Sequence, residues 1–138
     1  IKDQIQSIIS QKLINLNLTI FISDDNSEKE FPKLDNLEIN NRYRLKIYYR
    51  KLYKNIGYAR NFLYSLRSIG SEFDYYCFSD QDDIWDQNKL YKAIKKLGDY
   101  SSNEPSLYFG RTNYYDEKCS TKIGTSIPFL LSSTPSST

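Results

Sequence analysis

Residues 18–27 read LTIFISDDNS, an apolar and β-branched run that stops at an acidic turn. The run from Leu18 to Ile22 is typical of a β-strand, and the polar residues after it predict a turn. The same pattern recurs at residues 74–83, which read DYYCFSDQDD. The sequence therefore predicts two strands, at residues 18–22 and 74–79, each followed directly by carboxylates.

Helix and strand patterns alternate around these two runs. A helical stripe is formed by Ile1, Ile5, Ile8 and Ile9, with Lys2, Asp3, Gln4 and Gln6 on the opposite, polar side. Two further helices are predicted from the stripes Ala59, Phe62, Leu63, Leu66, Ile69 and Leu90, Ala93, Ile94, Leu97, with Gly70 ending the first and Asp86 and Gly98 capping the second. Residues 45–49 and 106–109 add two strands. This alternation predicts an α/β fold with a mostly parallel sheet, helices on both faces, and ligands at the C-terminal ends of the strands.

Composition excludes several classes of protein. The chain has 138 residues, enough for one domain, and a formal net charge of +2, which argues against a nucleic-acid partner. It contains no histidine, which excludes Ser-His-Asp catalysis and His-ligated zinc or iron. The two cysteines, Cys77 and Cys119, are predicted to be unpaired thiols of a cytosolic protein. No apolar stretch approaches the roughly 18 residues of a membrane span.

The acidic cluster at residues 80–83 has two interpretations. Asp80, Asp82 and Asp83 place three carboxylates within four residues, and such close like charges repel unless a cation or hydrogen bonds compensate them. Carboxylate oxygens at this spacing suit Mg²⁺ or Mn²⁺, which keep waters and bridge to substrate phosphates. The alternative is a solvated turn in which Asp83 or Asp86 caps the following helix.

The cluster at residues 24–27 is either an ordinary Asx-rich turn or a nucleotide contact. A calcium loop is rejected, because Lys29 stands where an EF-hand requires Gly. Residues 39–71 contain no acidic residue. Basic residues, Arg60 among them, are interspersed there with tyrosines. This stretch is either a solvated basic face or a contact for phosphates or an anionic membrane.

Four segments together resemble family 2 glycosyltransferases of the GT-A fold. They are QIQSIISQ at 4–11, ISDDNS at 22–27, NIGYARNF at 55–62 and FSDQDDIW at 78–85, the last followed by Lys89 and Leu90. Their order and spacing are more specific than any single motif. The last segment is similar to rhamnosyltransferase-like bacterial members that build surface polysaccharides. The resemblance implies a Rossmann-like sheet that lacks the family's first, central strand.

The resemblance also implies a role for each acidic cluster. The Asp that matches Asp25 contacts the nucleotide base, and Asp80 and Asp82 match the D-x-D that holds Mg²⁺ or Mn²⁺ and the donor diphosphate. We take Asp24, Asp25, Arg60 and Asp80 as the nucleotide-sugar-binding candidates, and Asp80 and Asp82 as the metal ligands. The implied reaction inverts an anomeric carbon and moves sugar from a dTDP- or UDP-sugar to a saccharide or lipid-linked acceptor. The implied location is the cytoplasm, with or without peripheral contact with the inner face of the membrane.

Residues 1–127 are predicted to be a partial nucleotide-sugar-binding domain, and residues 128–138 a disordered Ser/Thr-rich tail. The resemblance implies that the general base belongs to the acceptor-binding half and lies outside this chain. Asp116 and Glu117 are predicted to lie in a turn, and neither is taken as the base. One alternative is a nucleotide-binding fragment without catalysis. The other is a haloacid-dehalogenase-type phosphatase with Asp80 as nucleophile, although Asp83 and Ile84 stand near where that class places a Gly-Thr pair.

Overall fold

The computed structural model describes residues 1–12, 17–35, 37–38, 44–98, 105–116 and 120–126. The helices and strands, in chain order, are α1 (Lys2–Ile9), β1 (Asn17–Asp24), β2 (Arg44–Lys51), α2 (Tyr58–Ser68), α3 (Lys89–Gly98), β3 (Asn113–Tyr115) and β4 (Lys122–Thr125). The chain divides into two compact units, Ile1–Tyr91 and Lys92–Thr138. Within the described ranges, no helix is long and apolar enough to cross a membrane. The predicted tail at 128–138 and Cys119 lie outside the described residues.

The first unit contains a parallel pair of strands, as the alternating pattern predicts. β1 and β2 pair in register from Asn17 opposite Arg44 to Asp24 opposite Lys51. The Leu52 N–H donates to the Asp24 carbonyl over 2.8 Å, which extends the ladder past the end of β2. Because the strands are parallel, the acidic end of β1 and the basic end of β2 lie at the same edge of this sheet.

α2 packs on the face of the sheet that carries Phe21 and Ser23. On this face the Phe21 and Tyr48 rings stack with their centroids 5.1 Å apart, and Phe73 meets Phe21 edge-on at 6.0 Å. α2 ends at Ser68, and Gly70 follows with φ +76°. This left-handed backbone is what a glycine permits just after a helix, so the predicted role of Gly70 is confirmed.

α1 carries most of the tightly buried apolar residues in the described part of the chain. These are Ile5, Ile8 and Ile9 of α1, together with Trp85 and Leu90. The helix also buries Gln4, which is only 5% exposed, so the prediction that Gln4 lies on the solvent side is wrong. A hydrophobic pattern assigns polar side chains to the solvent side. Gln4 is buried nevertheless, because its amide has hydrogen-bond partners inside the unit.

Two predicted strands are absent from the described residues. Residues 74–79 and 106–109 are not strands, because a strand requires a hydrogen-bonded neighbour and neither segment pairs with another in the described ranges. The second unit instead contains an antiparallel pair, β3 and β4, which the sequence did not predict. The Asp116 carboxylate accepts hydrogen bonds from Ser120 and Thr121 in the connecting segment, which agrees with the predicted turn.

Candidate functional site

Asp24, the last residue of β1, is held inside its own turn. Its Oδ1 accepts a hydrogen bond from the Ser27 N–H over 2.7 Å, and its Oδ2 accepts one from the Tyr49 hydroxyl over 2.9 Å. Burial is the largest influence and raises the pKa of Asp24, but these hydrogen bonds and the Lys51 charge outweigh it, so the pKa lies below its usual range. Asp24 is therefore ionised and helps to close the turn, and each of its oxygens, having accepted one hydrogen bond, keeps a lone pair.

Asp25 holds the loop that leads into α2. Its Oδ1 accepts the Ile56 N–H and its Oδ2 accepts the Gly57 N–H, each over 2.8 Å. A carboxylate has about four lone-pair sites, so these two bonds leave capacity for a ligand. The structure thus brings together two of the predicted segments, residues 22–27 and 55–62.

Gly57 has a backbone conformation that other residues avoid, with φ +84° and ψ +147°. A Cβ at this position would meet no heavy atom within 4 Å, so backbone strain alone should make Gly57→Ala costly. We expect a loss of about 1–3 kcal/mol in the free energy of unfolding, measured by denaturant titration followed by circular dichroism. Gly98→Ala is the matched control, since Gly98 also faces open space but ends a helix. Equal stabilities for the two variants would contradict the strained loop.

A hydrogen-bond network joins the first turns of α2 to the end of β1. The Ser23 hydroxyl donates to Asn61 Oδ1 over 2.6 Å, and Asn61 Nδ2 donates back to the Ser23 carbonyl over 2.8 Å. Arg50 Nη2 donates to the Ser23 and Ser65 hydroxyls. Arg60, next to Asn61 in the chain, is exposed in the first turn of α2. The network therefore fixes the backbone from which the Arg60 side chain extends.

The second acidic cluster forms a turn closed by a hydrogen bond from the Asp83 N–H to the Asp80 carbonyl, 3.3 Å long. Asp80 and Asp82 are exposed. Trp85, immediately downstream, is buried, and the Lys89 ammonium lies 4.2 Å from the centroid of its ring. Burial lowers the pKa of Lys89, although the charges of Asp83, Cys77 and Asp80 act in the opposite direction.

Sequence reasoning missed three side chains that support this turn. Gln4 Nε2 donates to the Ser79 hydroxyl over 2.8 Å and to the Asp80 carbonyl, and the Trp85 N–H donates to the Ser7 hydroxyl over 2.9 Å. Gln11 Nε2 donates to the Asp86 carbonyl over 2.9 Å, and Gln11 Oε1 accepts the Leu90 N–H over 3.0 Å. Their spacing of three and four residues, which places them on one face of a helix, is the sequence signal that could have indicated a shared role.

The two halves of the candidate site lie in the same compact unit and meet through an aromatic contact. Asp24, Asp25, Arg60, Asp80 and Asp82 all belong to the unit Ile1–Tyr91. The rings of Phe62 in α2 and Phe78, just before the acidic turn, lie 5.1 Å apart. The segment bearing Arg60 therefore packs against the segment that leads into Asp80.

The donor set at residues 80–83 suits a cation that arrives with a phosphate ligand. Among the described residues, no group of three or more His, Cys, Asp and Glu side chains could enclose a metal ion. Asp80 and Asp82 nevertheless offer exposed carboxylates on one short turn. Mg²⁺ is usually held by one or two carboxylates, waters and substrate phosphates rather than by an all-protein cage, so the residues present fit such an ion.

A family model and a known protein each match most of the chain. The family model described as glycosyl transferase family 2 matches residues 1–126. The dTDP-rhamnosyl transferase RfbG of Shigella flexneri is 36% identical over 125 residues, which are 85% of this chain and 42% of that protein. The chain thus spans about two fifths of the length of this relative. No solved structure matches the chain significantly.

Proposed function

The chain belongs to glycosyl transferase family 2, and from this membership we propose that the protein transfers a sugar from a nucleoside-diphosphate donor to an acceptor hydroxyl. The structural observation that carries the proposal is the turn at residues 80–83, which presents the exposed carboxylates of Asp80 and Asp82. The family match supports this interpretation of Asp80 over that of a phosphatase nucleophile.

The donor we propose is a dTDP-sugar of the rhamnose type, because the Shigella flexneri relative is named a dTDP-rhamnosyl transferase. A UDP-sugar is the other candidate. The acceptor class is a saccharide or lipid-linked saccharide in surface polysaccharide synthesis. We place the reaction in the cytoplasm, and peripheral contact with the inner membrane face stays a prediction.

Each candidate residue has a defined part in this proposal. Asp24 and Asp25 accept hydrogen bonds from the base or ribose of the nucleotide, and the Arg60 guanidinium pairs with a phosphate. Asp80 and Asp82 hold Mg²⁺ or Mn²⁺, which supplies positive charge beside the departing diphosphate. The configuration at the anomeric carbon of the sugar inverts, and no residue of this chain is assigned as the base that deprotonates the acceptor.

Nucleotide binding by the full chain tests the proposal without requiring the acceptor. In calorimetry we expect dTDP or UDP to bind with Mn²⁺ present and to lose most of that binding with chelator or in Asp82→Ala. The reason is that Asp80 and Asp82 would hold the cation, whose charge would offset that of the diphosphate. Asp74→Ala removes an equally exposed carboxylate upstream of the turn and should bind like the wild type. Equal binding with and without chelator would refute the metal assignment.

A nucleotide-binding protein without transferase activity is the second candidate, and it would share every residue of this site. The two are separated by incubating the protein at its full natural length with a dTDP-sugar and a saccharide acceptor and following transfer of the sugar. Nucleotide binding without transfer or donor hydrolysis would favour the non-catalytic function.

A further inference from the structure

Gln4 and Ser7 of α1, with Gln11 just after the C-cap residue Ser10, form an inward-facing polar stripe. Gln4 and Gln11 are each only 5% exposed, and burying an amide without hydrogen-bond partners is unfavourable. In this molecule the partners are main-chain and hydroxyl groups of residues 79–90. Apolar side chains could fill the same space without hydrogen-bond partners. The stripe therefore also serves to bind the main chain of these residues.

The contacts of the stripe lie on both sides of the acidic turn. Gln4 binds at Ser79 and Asp80, before the turn, while Ser7 and Gln11 bind at Trp85, Asp86 and Leu90, after it. Apart from the Ser79 hydroxyl, every group bound in this segment belongs to the main chain. The carboxylates of Asp80 and Asp82 consequently stay exposed while the backbone that carries them is fixed.

We propose that the Gln4–Ser7–Gln11 stripe positions the cation site: it holds both ends of the acidic turn so that Asp80 and Asp82 face Mg²⁺ or Mn²⁺ together. This inference rests on the proposed function. Three carboxylates within four residues repel one another, and this repulsion favours an open turn when no cation is bound. Fixing the two ends opposes the opening and reduces the rearrangement that accompanies metal binding. The stripe residues are positioning residues and do not contact the ion.

Mn²⁺ affinity in the presence of dTDP tests this role directly. It is measured from the electron paramagnetic resonance signal of free Mn²⁺ in titrations of the full chain and compared with titrations of dTDP alone. Gln4→Met and Gln11→Met keep the length of the side chain and remove its hydrogen bonds. We expect each to weaken Mn²⁺ binding by about 10- to 100-fold, as is typical when groups that orient metal ligands are removed.

Gln6→Met is the matched control. Gln6 lies in the same helix and also hydrogen-bonds through its side chain, but to Ser10 and to the main chain of Glu38. We expect this variant to bind Mn²⁺ like the wild type. The emission maximum of Trp85, the single tryptophan, checks that each variant is folded at the temperature of the titration.

The outcomes separate the two proposals. Wild-type affinity in folded Gln4→Met and Gln11→Met, even with a lower melting temperature, would overturn the positioning role and leave the proposed function intact. A wild-type chain that, with dTDP present, binds no Mn²⁺ beyond that held by dTDP alone would overturn the metal assignment and the positioning role together. In a transfer assay, saturating Mn²⁺ should restore the kcat of Gln4→Met but not that of Asp82→Asn, because only the second lacks a ligand.

Discussion

Replacing Asp82 with Asn is expected to lower the kcat of sugar transfer by about 10²–10³-fold and to raise the KM for the donor by a smaller factor. Asn preserves the size of the side chain but removes the charge that would hold the cation. The bound cation would supply positive charge beside the diphosphate, where negative charge grows as it leaves, so its loss should affect the transition state more than the bound donor. Steady-state kinetics with a dTDP-sugar, at saturating acceptor and several Mn²⁺ concentrations, measure the effect.

Asp74→Asn is the control for this experiment, since it makes the same charge change at an exposed position upstream of the turn. It should leave both constants near their wild-type values. If Asp82→Asn retained its kcat and its dependence on Mn²⁺, Asp82 would not be a metal ligand. If instead the donor KM rose alone, Asp82 would be a binding contact without a specific role in the transition state.

Asp25→Ala is expected to raise the KM for the donor by about 10- to 100-fold while changing kcat much less. A hydrogen bond to a charged group typically contributes about 1.5–3 kcal/mol, and a contact with the nucleotide base contributes equally before and during the reaction. The same variant leaves the Ile56 N–H without its acceptor and the Gly57 N–H with Asn55 Oδ1 alone. A lower melting temperature should therefore accompany the kinetic change.

Asp25→Asn separates these two effects. Its remaining carbonyl oxygen can accept one of the two backbone N–H groups, so it should recover part of the lost stability. The donor KM should stay raised, because the charge is still absent. If Asp25→Ala and Asp82→Asn both changed kcat alone, Asp25 would not be a nucleotide contact and the assignment of the first cluster would be wrong.

The first half of the fold was predictable because local chemistry and tertiary structure agree there. The run from Leu18 to Ile22 has strand residues on both faces and stops at carboxylates, and β1 covers it as Asn17–Asp24. α2 follows its apolar stripe and ends before Gly70, whose φ of +76° few other residues adopt. The alternation of helices and strands along the whole chain predicted a parallel sheet, and β1 and β2 are parallel, although no helix is described between them.

The remainder depends on partners that a local pattern does not contain. Residues 74–79 have strand composition, yet a strand also requires a neighbouring strand, and none pairs with them in the described ranges. β3 has only three residues, all exposed, so no alternation marks it. In the candidate site, the acidic positions were visible in the sequence. The hydrogen bonds of Asp25 with Gly57 and of Gln4 with Asp80 were not predictable, because they join segments that are distant in the chain.

The contacts of Gln4 and Gln11 have a consequence for how the protein folds during synthesis. Both residues leave the ribosome before their partners, which lie 75 to 79 residues further along the chain. Contacts at such separation form late, because closing a long loop costs chain entropy before any contact is gained. β1, β2 and α2 can therefore associate before residues 79–90 have emerged. We expect a nascent chain whose emerged part ends before residue 79 to contain the paired strands, with the side-chain amides of Gln4 and Gln11 still bound to water.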